Sequence, residues 1–240
     1  MDWFFDDVIG ETHLITGEDA THITKSLRLS VGEMLTLCDK NRIEHLCIIE
    51  RITNDGVLVR SASEKECQNE ANTEITLFAA LTKGDKLENV IQKSVELGVH
   101  KIVPTLTDRC ISRPDKKAAE KKLLRYQKIA AAAAMQSRRA YIPEVAPVVG
   151  LDKAAAMLPD FELCILFYEG GGATLRELIS PAPKSIAIFT GPEGGFEERE
   201  VELLTKSGAK RATLGKRILR AETAPLAAIS ALMYATGNLE

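Results

Sequence analysis

The sequence predicts a two-domain α/β protein: a small antiparallel β-barrel over residues 1–70, then a parallel sheet with helices on both faces over residues 73–240. Three observations predict it. Between residues 32 and 63, short runs alternate apolar and polar residues and are punctuated by turn residues, the pattern of hairpins in a small barrel. From residue 75 onward, short apolar runs alternate with helical periodicities, which is how a parallel sheet is written. Between the two patterns lies Glu64-Lys65-Glu66-Cys67-Gln68-Asn69-Glu70-Ala71-Asn72, almost empty of apolar residues and read as a linker.

Composition sets the limits. A chain of 240 residues with 45% hydrophobic content can bury a substantial core. Its formal charge of -3 provides no global field for a polyanion, so any nucleic-acid contact must come from local basic patches. The five cysteines, Cys38, Cys47, Cys67, Cys110 and Cys164, form no C-x-x-C pair, which argues against a disulfide framework or a zinc site. His13, His22, His45 and His100 show no metal spacing, so no metal is expected. The acidic start, Met1-Asp2-Trp3-Phe4-Phe5-Asp6-Asp7, lacks the basic and apolar regions of a signal peptide, and the cytoplasm is the expected compartment.

In the first part, Asp19-Ala20-Thr21-His22 with Ile23, Leu27 and Leu29 suggests a short helix that leaves Lys25 and Arg28 exposed. A solvated face accounts for those two charges as well as a phosphate contact does. Residues 34–38, 46–52 and 57–59 read as strands, separated by turns at Asp39-Lys40-Asn41-Arg42 and Asn54-Asp55-Gly56.

The second part opens with a buried strand at residues 75–81. Asp85, with Glu88 three residues on, is expected to cap a helix that buries Leu87, Val90, Ile91 and Val95 and stops at Gly98; a strand follows at residues 102–104. Residues 115–139 form a long helical stretch carrying Lys116, Lys117, Lys121, Lys122, Arg125, Lys128, Arg138 and Arg139, with Glu120 its one acidic residue after Asp115. Such a face is either solvated exterior or a track for phosphates. Further strands fall at 163–167, 186–189 and 211–214, and an apolar helix starts near Thr223 and Pro225. Its Leu226, Ile229, Leu232 and Met233 could form core or a subunit surface.

The chemistry lies in the loops after those last strands. Gly191-Pro192-Glu193-Gly194-Gly195-Phe196 follows one strand and Leu214-Gly215-Lys216-Arg217-Ile218-Leu219-Arg220-Ala221-Glu222-Thr223-Ala224 follows another, at the strand ends where open α/β sheets bind ligands. A third glycine loop, Glu169-Gly170-Gly171-Gly172, follows residues 163–167 and reads by itself as a flexible connection. No Lys-Ser or Lys-Thr follows the glycines and no G-x-G-x-x-G occurs, so neither a P-loop nor a dinucleotide fingerprint is present. Charged residues around the apolar pair Ile218 and Leu219 instead suit a pocket for a flat heterocycle beside a reactive polar group.

These two segments, in this order near the carboxyl terminus, closely resemble the signatures of the RsmE family, ribosomal RNA small-subunit methyltransferases of the SPOUT class. The resemblance implies an α/β domain tied into a deep trefoil knot, a rare exception to ordinary topology, preceded by a PUA-like RNA-binding barrel. It implies S-adenosylmethionine as cofactor, N3 of a uridine in small-subunit ribosomal RNA as methyl acceptor, and a homodimer. Carried over residue by residue, it gives Leu166, Glu169, Thr190, Gly191, Glu193, Gly195, Leu214, Gly215, Ile218, Leu219 and Ala224 as cofactor contacts. The RNA contacts it implies are His22, Arg28, Gln136 and Arg139, and exposed helix charge adds Lys25, Lys121, Lys122 and Arg125 as candidate phosphate contacts. Ala221 stands where the family more usually carries Thr, so a hydroxyl there is not essential.

Methyl transfer needs donor and acceptor held at about 3 Å and an acceptor that is nucleophilic. A uridine imide must lose its proton, and a fixed guanidinium beside its carbonyl oxygens favours the reactive anion, a role that falls to Arg220. Glu222 is expected either to orient Arg220 or to accept that proton; a purely structural salt bridge between the two is the alternative. N3 lies on the pairing edge, so the base must be unpaired or extruded. Two rival functions are a SPOUT methyltransferase acting on another RNA position and a non-catalytic RNA-binding assembly factor.

Overall fold

The computed structural model describes residues 2–7 and 9–239. Its contacts divide the chain into two units, Met1–Glu70 with Ala134–Ile142, and Ala71–Ala133 with Pro143–Glu240.

The first unit contains β1 (Trp3–Phe5), β2 (Thr12–Ile15), a helix α1 (Gly17–Thr21) that runs into a π-helical turn at His22–Ser26, and β3 (Met34–Cys38), β4 (Ile43–Ile52) and β5 (Val57–Glu66). The sheet order is β1-β3-β4-β5-β2. The three strands expected from alternation are β3, β4 and β5. β1 and β2 were not legible, because three and four residues are too few to display a period. β1 pairs in parallel with β3, so the sheet is mixed rather than wholly antiparallel. Period-two alternation turns Leu35 and Leu37, Cys47 and Ile49, and Val57 and Val59 into one core with Phe4, Ile15 and Ile23. At the first hairpin, Asp39 Oδ1 accepts the amides of Asn41 and Ile43, both at 2.9 Å, which is why Asp starts that turn.

Part of the expected linker is strand: Glu64, Lys65 and Glu66 belong to β5 and pair with His45, Glu44 and Ile43. Their ladder runs through backbone while all three side chains are exposed, so composition could not reveal it. Residues 134–142, inside the span expected for the second domain, pack with the first unit. Met135 lies against its core, and the Cys38 thiol donates to the Ala140 carbonyl at 3.3 Å. Arg139 is only 3% exposed, and its guanidinium donates to both carboxylate oxygens of Glu70 at 2.7 to 3.0 Å. This corrects the expected RNA contact at Arg139, whose charge is matched inside the protein.

The second unit follows the predicted rhythm: β6 (Glu74–Ala80), α2 (Lys86–Glu96), β7 (Lys101–Leu106), α3 (Lys116–Gln136), β8 (Glu144–Val145), β9 (Val149–Gly150), α4 (Leu151–Ala156), β10 (Leu163–Phe167), α5 (Leu175–Leu178), β11 (Ser185–Thr190), α6 (Glu198–Lys206), β12 (Lys210–Ala212) and α7 (Ala224–Ala235). Every pairing in its sheet is parallel. The order is β12-β10-β11-β6-β7-β8, with β9 also on β7. β10 and β11 read as unbroken apolar runs because helices cover both faces of such a sheet. At the centre, Phe78 of β6 and Phe189 of β11 are register partners whose rings stack at 4.4 Å.

α2 buries Leu87, Val90, Ile91 and Val95 as predicted, but Asp85 makes no side-chain cap; its backbone carbonyl accepts the Glu88 amide instead. In α7, Ile229, Leu232 and Met233 are buried in the core of the single chain, while Leu226 is half-buried. Four of the five cysteines are buried. Burial pushes the Cys38 thiol up to about 12 and those of Cys47 and Cys164 to about 11, which leaves them protonated and poor nucleophiles. Among the described residues, no helix is long and apolar enough to cross a membrane.

Candidate active site

β12, β10 and β11 are neighbours in the sheet, and a glycine loop leaves the carboxyl end of each. The three loops wall a cleft of about 320 Å3, within the size range of small-ligand sites. Of the expected cofactor contacts, Glu169, Gly191, Glu193, Gly195, Leu214, Gly215, Ile218, Leu219 and Ala224 line it, and so do Arg220 and Glu222. Leu166 and Thr190 do not. Both are still within their strands, with side chains buried between sheet and helices; the cleft begins one residue later, at Phe167 and Gly191.

The first loop, residues 191–196, is fastened from outside. Gly195 sits at φ +70 and its amide closes a turn onto the Pro192 carbonyl at 3.0 Å, a conformation that disfavours any side chain. Arg109, in the connection between β7 and α3, donates from Nη1 to the Gly194 carbonyl at 2.7 Å and forks onto Glu197 at 2.8 and 3.1 Å. Glu200, 5% exposed, accepts the amides of Asp108 and Glu197, each at 2.8 Å, so the same connection is tied to the start of α6. Glu193 Oε1 accepts the Lys83 amide at 3.2 Å and the Lys86 ammonium at 3.0 Å. Burial alone would raise the Glu193 carboxyl, but the Lys86 hydrogen bond, backbone amides and the Lys86 charge outweigh it and hold it below its ordinary value. Reciprocally, the Glu193 hydrogen bond and the charges of Glu193 and Glu222 raise the Lys86 ammonium, which stays charged.

The second loop, residues 213–223, is held by its own chain. The Thr213 hydroxyl bonds the amide and the carbonyl of Gly215, both at 3.1 Å, and the Arg220 carbonyl accepts the amides of Thr223 and Ala224. Ile218 is 83% exposed. Among the described residues, Lys216, Arg217 and Arg220 make no ion pair. The third loop is no slack connection. A Cβ on Gly172 would lie 2.4 Å from the backbone of Arg211, and the Ala173 amide bonds the Arg211 carbonyl at 2.9 Å, so the loop is pressed against β12.

Glu222 differs from expectation in its partner. Among the described residues its ion pair is with Lys86, Nζ to Oε2 at 3.6 Å, and not with Arg220, and that buried oxygen accepts no hydrogen bond from them. Lys86, Arg109, Phe167 and Tyr168 were not read as site residues. Lys86, Phe167 and Tyr168 line the cleft, and Arg109 braces its first loop from outside.

The expected RNA contacts divide between the units. On α3, Lys121 is exposed, Lys122 donates to the Ser112 hydroxyl at 3.4 Å, and Arg125 pairs with Glu88 at 2.6 Å while remaining largely exposed. In the first unit, His22, Lys25, Arg28 and Gln136 are exposed, with Arg28 at φ +58. Among the described residues, no cluster of His, Cys, Asp and Glu has the makings of a metal site.

Comparison with known proteins agrees with this arrangement. Residues 69–233 match the family described as RNA methyltransferase domain, and residues 15–60 match RNA methyltransferase PUA domain. Ribosomal RNA small subunit methyltransferase E of Bacillus subtilis is 37% identical over 94% of this chain and 91% of its own length; its namesake from Synechocystis is 33% identical over 95% and 76%. Among solved structures, ribosomal RNA small subunit methyltransferase E from Neisseria gonorrhoeae, bound to S-adenosyl methionine, superposes with a TM-score of 0.89 at 32% identity, covering 98% of this chain and 97% of its own. A Legionella pneumophila protein in complex with the cofactor SAM gives the same TM-score at 34% identity and 97% coverage of both chains. With three glycine loops around one cleft and relatives matched along nearly the whole length, the chain belongs to the ribosomal RNA small subunit methyltransferase E family.

Proposed function

We propose that the protein is an S-adenosylmethionine-dependent methyltransferase that modifies N3 of a uridine in small-subunit ribosomal RNA. The observation that carries this reading is the single cleft bounded by residues 191–196 and 213–223, at the strand ends where the family's signatures fall. Its volume suits a nucleoside-sized ligand, and the relatives solved with S-adenosyl methionine align along almost the entire chain. In this reading the backbone of Gly191, Gly195 and residues 214–219 recognises the adenine edge, and Ile218 and Leu219 cover its face. When bound, S-adenosylmethionine supplies the electrophilic methyl group, and its sulfur leaves with the bonding pair.

In this reading the Arg220 guanidinium, which lines the cleft and makes no ion pair among the described residues, stabilises the charge that spreads onto the uridine carbonyl oxygens as N3 loses its proton. Of the two roles expected for Glu222, orienting Arg220 lacks support because its ion pair is with Lys86; accepting the imide proton is the role proposed. RNA would be held by the exposed His22, Lys25, Arg28 and Gln136 and by Lys121, Lys122 and Arg125 of α3, through phosphates rather than base edges. The two-domain division at residues 1–70 and 73–240, the trefoil knot, homodimerisation and a cytoplasmic location belong to the same proposal. The position of β11 between β10 and β6 is consistent with a threaded sheet.

The test is genetic. Deleting the gene and mapping ribosomal RNA by mass spectrometry should reveal one missing methyl on a uridine base in the small subunit, restored by the wild-type chain. A lost ribose methyl would redirect the proposal to another acceptor, and an unchanged methylation map would leave only a binding role.

A further inference from the structure

Glu222 lines the cleft, and its Oε2 is buried and accepts no hydrogen bond among the described residues. Such an oxygen is costly to leave uncompensated unless something completes it. The nearby cation, Lys86, is already committed: its ammonium donates to Glu193 Oε1 at 3.0 Å and stands 3.6 Å from Glu222 Oε2, inside ion-pair range but beyond a hydrogen bond. Lys86, Glu193 and Glu222 together carry one uncompensated negative charge, and among the described residues Glu222 Oε2 is the oxygen of this group that is buried without a hydrogen bond. The other charged residues of the lining, Glu169, Lys216, Arg217 and Arg220, are exposed, so water and salt screen them far more than they screen a buried atom.

Resting on the reading of the cleft as a methyl-donor site, we propose that Glu222 is the specificity-determining counter-charge for a sulfonium, and that Lys86 is a positioning residue that ties Glu222 to the first loop and limits the surplus to a single negative charge. A sulfonium offers no hydrogen and has no use for a donor, so a carboxylate oxygen lacking hydrogen bonds suits it. Once the methyl has left, the sulfur is neutral and this attraction is gone. The cleft therefore grips the charged donor more firmly than the spent thioether, which helps to clear the product.

Calorimetric titration of the full chain at pH 8 with S-adenosylmethionine and with S-adenosylhomocysteine tests this, since the two ligands differ only in the methyl and the charge it confers. The wild type should favour the sulfonium by roughly tenfold or more. Glu222→Gln should bring the two affinities together, mainly by weakening S-adenosylmethionine. Lys86→Met, which removes the competing cation, should widen the ratio; a variant that merely loosened the site would weaken both ligands alike and leave the ratio unchanged. Should Glu222→Gln not fold, as judged by circular dichroism, the Lys86→Met ratio decides alone. Equal affinities in the wild type, or a ratio unmoved in Glu222→Gln, overturn the inference while the cleft remains a donor site. Failure of the wild type to bind either ligand would overturn the reading of the cleft itself.

Discussion

Residues 191–196 are fastened from outside by Arg109, Lys83 and Lys86, whereas residues 213–223 carry three exposed cations that make no ion pair among the described residues and an Ile218 that is 83% exposed. The first loop is thus set before any ligand arrives, whereas the second is anchored at its two ends, by β12 and the third loop at its base and by Lys86 at Glu222. One wall of the cleft is preorganised and the other is free to close, a division of labour that reduces the ordering cost of binding on one side while leaving an entry path on the other.

The change expected to disturb this contrast most is Gly172→Ala. Its Cβ would overlap the Arg211 backbone, so β12 must shift at a cost of about 1–3 kcal/mol. Thermal melting should register the loss, and amide exchange should rise across residues 210–223 but not across 191–196. Arg109→Ala comes next and sharpens the comparison by loosening the fixed wall. Because the fork is nearly half exposed and screened by water, the stability cost should be small, read by urea unfolding. The larger signal should be a several-fold weaker donor affinity, with exchange now rising in residues 191–196.

A smaller effect follows from acid. Glu193 has a lowered folded pKa, so its contribution is present above the ordinary glutamate value of 4.5 and is lost as pH falls through the lower folded value. The Lys86 link should therefore persist to below pH 4.5, and in Lys86→Met the midpoint of the Glu193 carboxyl, followed by carbon-13 NMR, should move up toward that value. Least of all in stability, Ile218→Ala should change unfolding by less than about 0.5 kcal/mol, since the side chain is already in water. Donor affinity should nonetheless fall, because the movable wall would lose the apolar surface with which it closes; an unchanged affinity would mean that this wall does not close on the ligand.

What could be read from the sequence follows from how far apart the cooperating residues lie. The strands β6, β10 and β11 announce themselves as apolar runs, and the glycine loops as breaks after them, because each signal is local. Arg139 looked like surface because its partner, Glu70, is 69 residues away. Lys86 and Arg109 passed unnoticed for the same reason: each meets the first loop only after β6 has paired with β11 and β7 with β6. Leu166 and Thr190 were one residue too early, since period-two alternation says which face a strand residue takes but not where the strand ends.

The placement of β11 also constrains how the protein can be made. Glu74 pairs with Ser185, so the central ladder of the sheet must wait until most of the chain has left the ribosome, and the intervening strands have to hold a gap for a latecomer. Until then β6 and β10 expose unsatisfied edges, which makes this unit slow to assemble and dependent on protection from aggregation while it is being synthesised.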